Sequence, residues 1–383
     1  MPDRGRAVST RAVLEPYPYD RLGRLRAVAE QHAGGCVDVS IGDPCDPAPP
    51  AALEALGGSG AERSYPRSIG TPELRAAAAG WLERRFGVQV PTEQVAACVG
   101  TKELVASLPR LLQLRSGERD TVLYPAVAYP TYAMSARLAG LRAVPVPLDR
   151  SGRLALDATD PGNADRALCL WVNSPGNPTG AVEDLATAAA WGRQRGVIVC
   201  SDECYAEFVW DRPTEAPLLQ GHTILAHGPE GVLSLHSLSK RSNFAGMRAG
   251  FYTGDAELVD FLAQARRHLG LMVPGPVQVA AAVALDDDSH VELQRQRYRS
   301  RLELLSGLLE GLGLPAPLPE GAFYLWVPAP DGDAWALAER LAATAGMLVS
   351  PGEFYGEAGA GHVRVSATVP DEHLKLLAER LAV

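Results

Sequence analysis

The chain has 383 residues, 46% hydrophobic and 21% charged, a mix that belongs to a packed globular protein, and its length suits one large unit joined to a smaller one. A formal net charge of -9 leaves no basic stripe for a nucleic-acid backbone, and no apolar run reaches the roughly 18 residues a bilayer-spanning helix needs. The amino-terminal stretch with Arg4, Arg6 and Arg11 lacks the apolar core of a secretory signal, so a cytoplasmic location is the expectation. The cysteines are scattered, with Cys200 and Cys204 the one close pair, which argues for structural thiols and against a metal site.

In chain order, the stretch to about Pro47 is expected to pack on the smaller unit, with the proline-rich segment Pro44–Pro50 as a connector. Short apolar runs follow at Val95–Val99, Thr121–Tyr124, Ala143–Pro147, Leu168–Val172, Val197–Ser201 and Val232–Leu235, separated by longer amphipathic stretches. That alternation predicts an α/β unit with a mostly parallel sheet and helices on both faces. After Pro274 the pattern changes to a helix over Val291–Leu312, a strand over Ala322–Val327 and a helix over Ala334–Ala345, a smaller α+β unit. The expected division is 1–47 packed on the small domain, 48–275 as the large domain, and 276–383 as the small one.

Open α/β sheets bind ligands beyond the carboxyl ends of their strands, and several unusual segments fall there. Gly100-Thr101-Lys102-Glu103 follows the first run and opens a helix; it reads as a plain N-cap or as an anion cradle. Tyr129-Pro130-Thr131-Tyr132 offers aromatic faces to a planar ring. In Asn173-Ser-Pro-Gly-Asn177-Pro-Thr-Gly180, prolines and glycines fix an irregular loop that can present the Asn177 amide. Asp202 ends another run with Tyr205 close by; it either caps a helix or pairs with a protonated ring nitrogen, keeping a heterocycle electron-poor. Ser237-Leu-Ser239-Lys240-Arg241 then places a lysine just past a strand, a position that alone suits a solvated loop cation.

Taken together, GTKE, YPTY, NPTG, SDECY and SLSKRSNFAGMRAGF closely resemble the class I/II aminotransferases of fold type I, over most of the chain. The resemblance implies a large domain with a mostly parallel seven-stranded sheet, a smaller α+β domain, and the cofactor pyridoxal 5′-phosphate. It implies Lys240 as the residue carrying the cofactor as an imine and, once freed, as the base for the substrate α-proton. Asp202 would pair with the pyridine nitrogen, Asn177 and Tyr205 would reach the phenolic oxygen, and Tyr129 would stack on the ring. Thr101, Lys102, Ser237, Ser239 and Arg248 would surround the phosphate. Tyr65 matches a tyrosine lent to the neighbouring subunit, which implies a homodimer with shared sites. Arg364 would grip the substrate α-carboxylate, with Gly42 also at the substrate.

Within the family, Tyr17–Leu22, Gly100–Leu104, Ala128–Tyr132, His236–Asn243 and Arg266–Gln278 are most similar to actinobacterial-type N-succinyldiaminopimelate aminotransferases. Arg67 and Leu269-Gly-Leu-Met272 depart from that group's pattern in segments that border its substrate pocket. The resemblance therefore implies transamination between an amino acid and a 2-oxo acid, N-succinyldiaminopimelate- or glutamate-like. The alternative is a β/γ-elimination or replacement on an amino acid such as S-adenosylmethionine.

Overall fold

The computed structural model describes residues 16–213 and 215–381; Arg4, Arg6 and Arg11 lie outside them. Seven strands form the main sheet: β1 Val95–Cys98, β2 Thr121–Pro125, β3 Arg142–Val146, β4 Ala167–Asn173, β5 Ile198–Asp202, β6 Val232–Ser237 and β7 Gly250–Gly254. Their order is β1-β7-β6-β5-β4-β2-β3. Every neighbouring pair is parallel except the two made by β7, which runs against both β1 and β6. β7 was not among the apolar runs, because glycine at each end breaks its apolar signal.

β4 illustrates why these segments form a central sheet. Ala-Leu-Cys-Leu-Trp-Val-Asn is buried throughout, so neither face can meet water, which is the pattern of a strand covered on both sides. Leu170 and Val172 join one core with helices Pro72–Phe86 and Leu185–Arg195, whereas Cys169 and Trp171 join another with helices Thr101–Arg115 and Ala256–His268. The alternation follows from the two-residue period of a strand.

Helix Gly275–Asp286, expected in the smaller unit, packs instead on helices Pro50–Gly58 and Pro72–Phe86. Ala280, Ala281, Ala284 and Leu285 are buried in the first core of the sheet. The helix carries no charge before Asp286, which suits burial on several sides, so the larger core continues past the boundary drawn at 275.

A third core holds a three-stranded antiparallel sheet of Ser350–Pro351, His362–Ser366 and Tyr324–Pro328. Leu22, Leu25 and Ala29 are buried in the same core, and Val37–Asp38 pairs in parallel with Met347–Leu348. Among the described residues no helix is long and apolar enough to cross a membrane.

Candidate active site

Asn173, Asp202 and Ser237 are the last residues of β4, β5 and β6, and Asn173 and Asp202 are register partners. Directly beyond them lies a cavity of about 610 Å³, within the range of small-molecule and cofactor sites. Twelve of the residues named above line it: Gly42, Thr101, Lys102, Tyr129, Asn177, Asp202, Tyr205, Ser237, Ser239, Lys240, Arg248 and Arg364.

Lys240 sits on the short helix Leu238–Arg241, whose N-cap Ser237 accepts from the Ser239 amide at 3.1 Å. The next residue anchors the turn from below: Arg241 donates to Glu207 at 3.4 Å and to Asp288 at 2.9 Å. Glu207 also accepts from Arg85 at 2.7 Å and from the Trp81 indole at 2.8 Å. Burial pushes the Glu207 carboxyl up, but Arg85 and Arg241 outweigh it and hold the group below its ordinary range. Above this anchor the Lys240 ammonium donates to the Gly42 carbonyl. Burial pulls the Lys240 amine down to about 8, within reach of a neutral, nucleophilic form. A Cβ on Gly42 would collide with the Tyr324 hydroxyl, so glycine alone permits this approach.

Asp202 is 4% exposed. Its carboxylate accepts from the Tyr132 hydroxyl at 2.9 Å and from the Cys204 amide at 3.3 Å. Burial raises its pKa, and no lysine or arginine pairs with it among the described residues. A buried carboxylate without a cation is costly, and a protonated ring nitrogen would relieve that cost.

Gly100 has φ of +73°, and a Cβ there would strike the Arg248 guanidinium. The missing side chain lets Arg248 lie against the start of helix Thr101–Arg115, with the Ser237 and Ser239 residues also lining the cavity. An arginine at a helix N-terminus forms an anion cradle. Cradle, carboxylate and lysine thus fit the phosphate, ring nitrogen and aldehyde carbon of pyridoxal 5′-phosphate.

Arg364, 2% exposed, rises from the strand His362–Ser366 and donates to Asn177 Oδ1 at 2.8 Å and to the Ser40 carbonyl at 2.6 Å. The Tyr324 and Tyr355 rings lie 4.2 and 4.9 Å from it, and its Nε is buried without a partner among the described residues. Burial works against its charge, but the surrounding tyrosines outweigh burial and keep it protonated. Asn177 is held by its own amide, which donates to Asn173 Oδ1 at 2.8 Å. The Tyr205 hydroxyl pairs with that of Tyr324 at 2.9 Å.

Lys102 lies with its ammonium 4.9 Å from the Tyr17 ring and 6.0 Å from that of Tyr129. Tyr65, Arg67 and Leu269 do not line this chain's cavity. Tyr65 is 94% and Leu269 58% exposed, on loops that flank each other through Ser68 and Leu271, 3.0 Å apart. Arg67 and Leu269, expected to border the substrate pocket, are exposed side chains outside the cavity of a single chain. Conversely, Tyr17, Tyr19, Cys204 and Tyr324 line the cavity without a role expected from the sequence, and Tyr132, offered there with Tyr129 as an aromatic face, lines it too. The Tyr-Pro-Tyr at 17–19 was the available signal; Tyr324, within an apolar strand, gave none.

The chain is similar to known proteins over nearly its whole length. The family model "Aminotransferase class I and II" matches residues 35–381. The chain is 42% identical over 371 residues, 96% of its length and 99% of the other's, to 4-dedimethylamino-4-oxo-anhydrotetracycline transaminase OxyQ of Streptomyces rimosus. It is 35% identical to LL-diaminopimelate aminotransferase of Desulforudis audaxviator, covering 96% and 95% of the two chains. Among solved structures, a probable N-succinyldiaminopimelate aminotransferase of Thermus thermophilus matches with a TM-score of 0.83 and 30% identity, over 95% of this chain and 98% of that one. All three are named for amino transfer, not for elimination or replacement. The chain belongs to the class I and II aminotransferases and is a pyridoxal-5′-phosphate-dependent enzyme of that family.

Proposed function

We propose that the cavity moves an amino group from an acidic amino acid, N-succinyldiaminopimelate- or glutamate-like, to an oxo acceptor. The observation that carries this reading is the pairing of a buried, charged Arg364 with an uncompensated Asp202 across one cavity. When bound, the cofactor supplies the electron sink that makes the substrate Cα–H bond labile. Lys240 attaches it and, when released, carries the proton to and from Cα, a task for which a pKa of about 8 is well placed. Asp202 holds the proton on the ring nitrogen. Asn177 and Tyr205 face the phenolic oxygen, and Tyr129 covers the ring. Thr101, Lys102, Ser237, Ser239 and Arg248 would hold the phosphate.

Arg364 orients the substrate α-carboxylate through its planar fork. Gly42 lines the same cavity. A polycyclic ketone as acceptor is the second reading, favoured by the tyrosines at 17, 19 and 129 along the cavity wall and by the name of the Streptomyces relative.

The working form in this proposal is a cytoplasmic homodimer in which Tyr65 reaches the partner's phosphate and Arg67 and Leu269 border the partner's pocket. Their outward exposure supports it. Residues 16–47 and those from 287 to 381 form the smaller unit in this reading.

The test is an absorbance scan of the loaded enzyme with single substrates. Conversion of the resting band to the shorter-wavelength amine form by glutamate or N-succinyldiaminopimelate supports the proposal. Release of methylthioadenosine from S-adenosylmethionine, with no response to the other two, overturns it.

A further inference from the structure

Asp202 is held without being neutralised, and one side chain governs how. Tyr132 is 1% exposed on helix Thr131–Leu138. Its ring stacks on Trp171 of β4, with centroids 5.1 Å apart and planes at 19°. Its other ring neighbour is Tyr129, met edge-on at 5.9 Å and 82°. Its hydroxyl donates to Asp202 Oδ2 at 2.9 Å. Three contacts from three elements leave the phenol no alternative position, and they join the proposed ring-stacking residue to the carboxylate beneath the ring nitrogen.

We infer that Tyr132 is a positioning residue that aims the Asp202 carboxylate and sets how strongly it draws the ring-nitrogen proton. This rests on the proposed reading of the cavity as the cofactor site.

The donors around Asp202 are a phenol, the Cys204 amide and the Cys204 thiol, all neutral. They fix its direction while leaving its charge for the ligand. A lysine in place of the phenol would bring a fixed cation of its own to compete with the ligand. The phenol is a one-way donor, because burial and the neighbouring Asp202 raise its pKa well above the ordinary value. Among the described residues, the other ionisable groups that sense this cluster are Tyr129, Cys98, Cys204 and, next to Cys204, Lys240. None of them supplies a cation bonded to the carboxylate.

The charge-balance consequence is specific. Without the phenol donor, Asp202 becomes the stronger base and draws the shared proton away from the ring nitrogen. A less positive ring then lets the Lys240-linked nitrogen keep its proton to higher pH.

Tyr132→Phe retains the ring and both ring contacts, so the variant isolates the hydroxyl. The expected result is a rise of about half to one pH unit in the midpoint of the bound cofactor's absorbance change, the effect of one buried hydrogen bond. Cofactor affinity should fall about three- to tenfold, with KM for the amino donor within about twofold of wild type. Tyr132→His, which restores an N–H donor, should return the midpoint to within about 0.3 unit of wild type. A midpoint and affinity in Tyr132→Phe equal to wild type, whether or not the melting temperature falls, overturns the inference. So does a Tyr132→His midpoint displaced as far as that of the phenylalanine variant. Wild-type protein that forms no Lys240-dependent band with pyridoxal 5′-phosphate overturns the cavity reading itself, and the inference with it.

Discussion

Arg364 and Asn177 meet at 2.8 Å across the junction of two cores, the arginine on a strand of the smaller sheet and the asparagine on the loop after β4. One hydrogen bond therefore ties the group that faces the substrate carboxylate to the loop that faces the cofactor ring. Asn177→Ala is expected to lower kcat/KM for the amino donor about 10- to 100-fold, the range for a bond to a charged group, as read by steady-state kinetics. An effect confined to cofactor affinity would separate the two residues.

Lys240→Ala should fold normally, lose the absorbance band of lysine-linked cofactor, and turn over several orders of magnitude more slowly. Lys240 also has a pH signature in the apoprotein. Its folded pKa of about 8 lies below the ordinary lysine value of 10.5, so burying the charged amine costs stability at low pH. That cost is fully present below pH 8 and is removed as pH rises from 8 to 10.5. Melting of apo wild type against apo Lys240→Met should accordingly show the difference narrowing across that window.

Glu207 holds Arg85, Arg241 and Trp81 under the Lys240 turn, so Glu207→Gln leaves two buried guanidinium groups short of their counter-charge. Urea unfolding should report a loss of about 3–5 kcal/mol. Because the folded pKa of Glu207 is depressed, its contribution is present above the ordinary carboxyl value and disappears as pH falls through the lowered one. Wild type should lose its advantage over the variant only in that acidic range.

Gly42→Ala forces a methyl group into the Tyr324 hydroxyl. Overpacking of this kind costs about 1–3 kcal/mol, and here it also displaces the carbonyl that Lys240 addresses. Both melting temperature and kcat/KM should fall, and a fully active, equally stable variant would show that the cavity wall gives way easily.

Tyr65→Phe should weaken cofactor binding by about three- to tenfold, although the residue lies on the surface of its own chain. Arg67→Thr should instead change the ranking of substrates while cofactor affinity stays within about twofold of wild type. Sedimentation of the loaded enzyme as a dimer is the accompanying expectation; an active monomer would remove the shared-site proposal.

Residues at the carboxyl ends of strands were legible because two independent patterns meet there: an apolar run stops, and chemistry begins within one or two positions. Asp202, Lys240 and Asn177 were found in this way. Tyr324 was not, because a phenol within an apolar strand looks like core packing until its hydroxyl partner, distant in sequence, is known; Tyr132 was legible as an aromatic face, but not as the donor to Asp202. β7 was hidden by its terminal glycines, and the helix Gly275–Asp286 was misplaced because a continuous apolar composition does not say which core it enters. Tyr65 and Arg67 precede helix Pro72–Phe86 in sequence but are exposed outside the cavity of their own chain, a placement that periodicity cannot report in a loop.

The reversed strand β7 has a consequence for biosynthesis. β1 pairs with it, Val95 opposite Thr253 and Cys98 opposite Gly250, so the first-made strand of the large sheet waits for the last before its inner edge closes. Gly100 follows one of these strands and Arg248 precedes the other. A nascent chain halted on the ribosome before residue 250 has emerged would hold the lysine and the aspartate yet lack a finished anion cradle. Cofactor capture by stalled chains of increasing length should consequently begin abruptly, once that strand has cleared the exit tunnel.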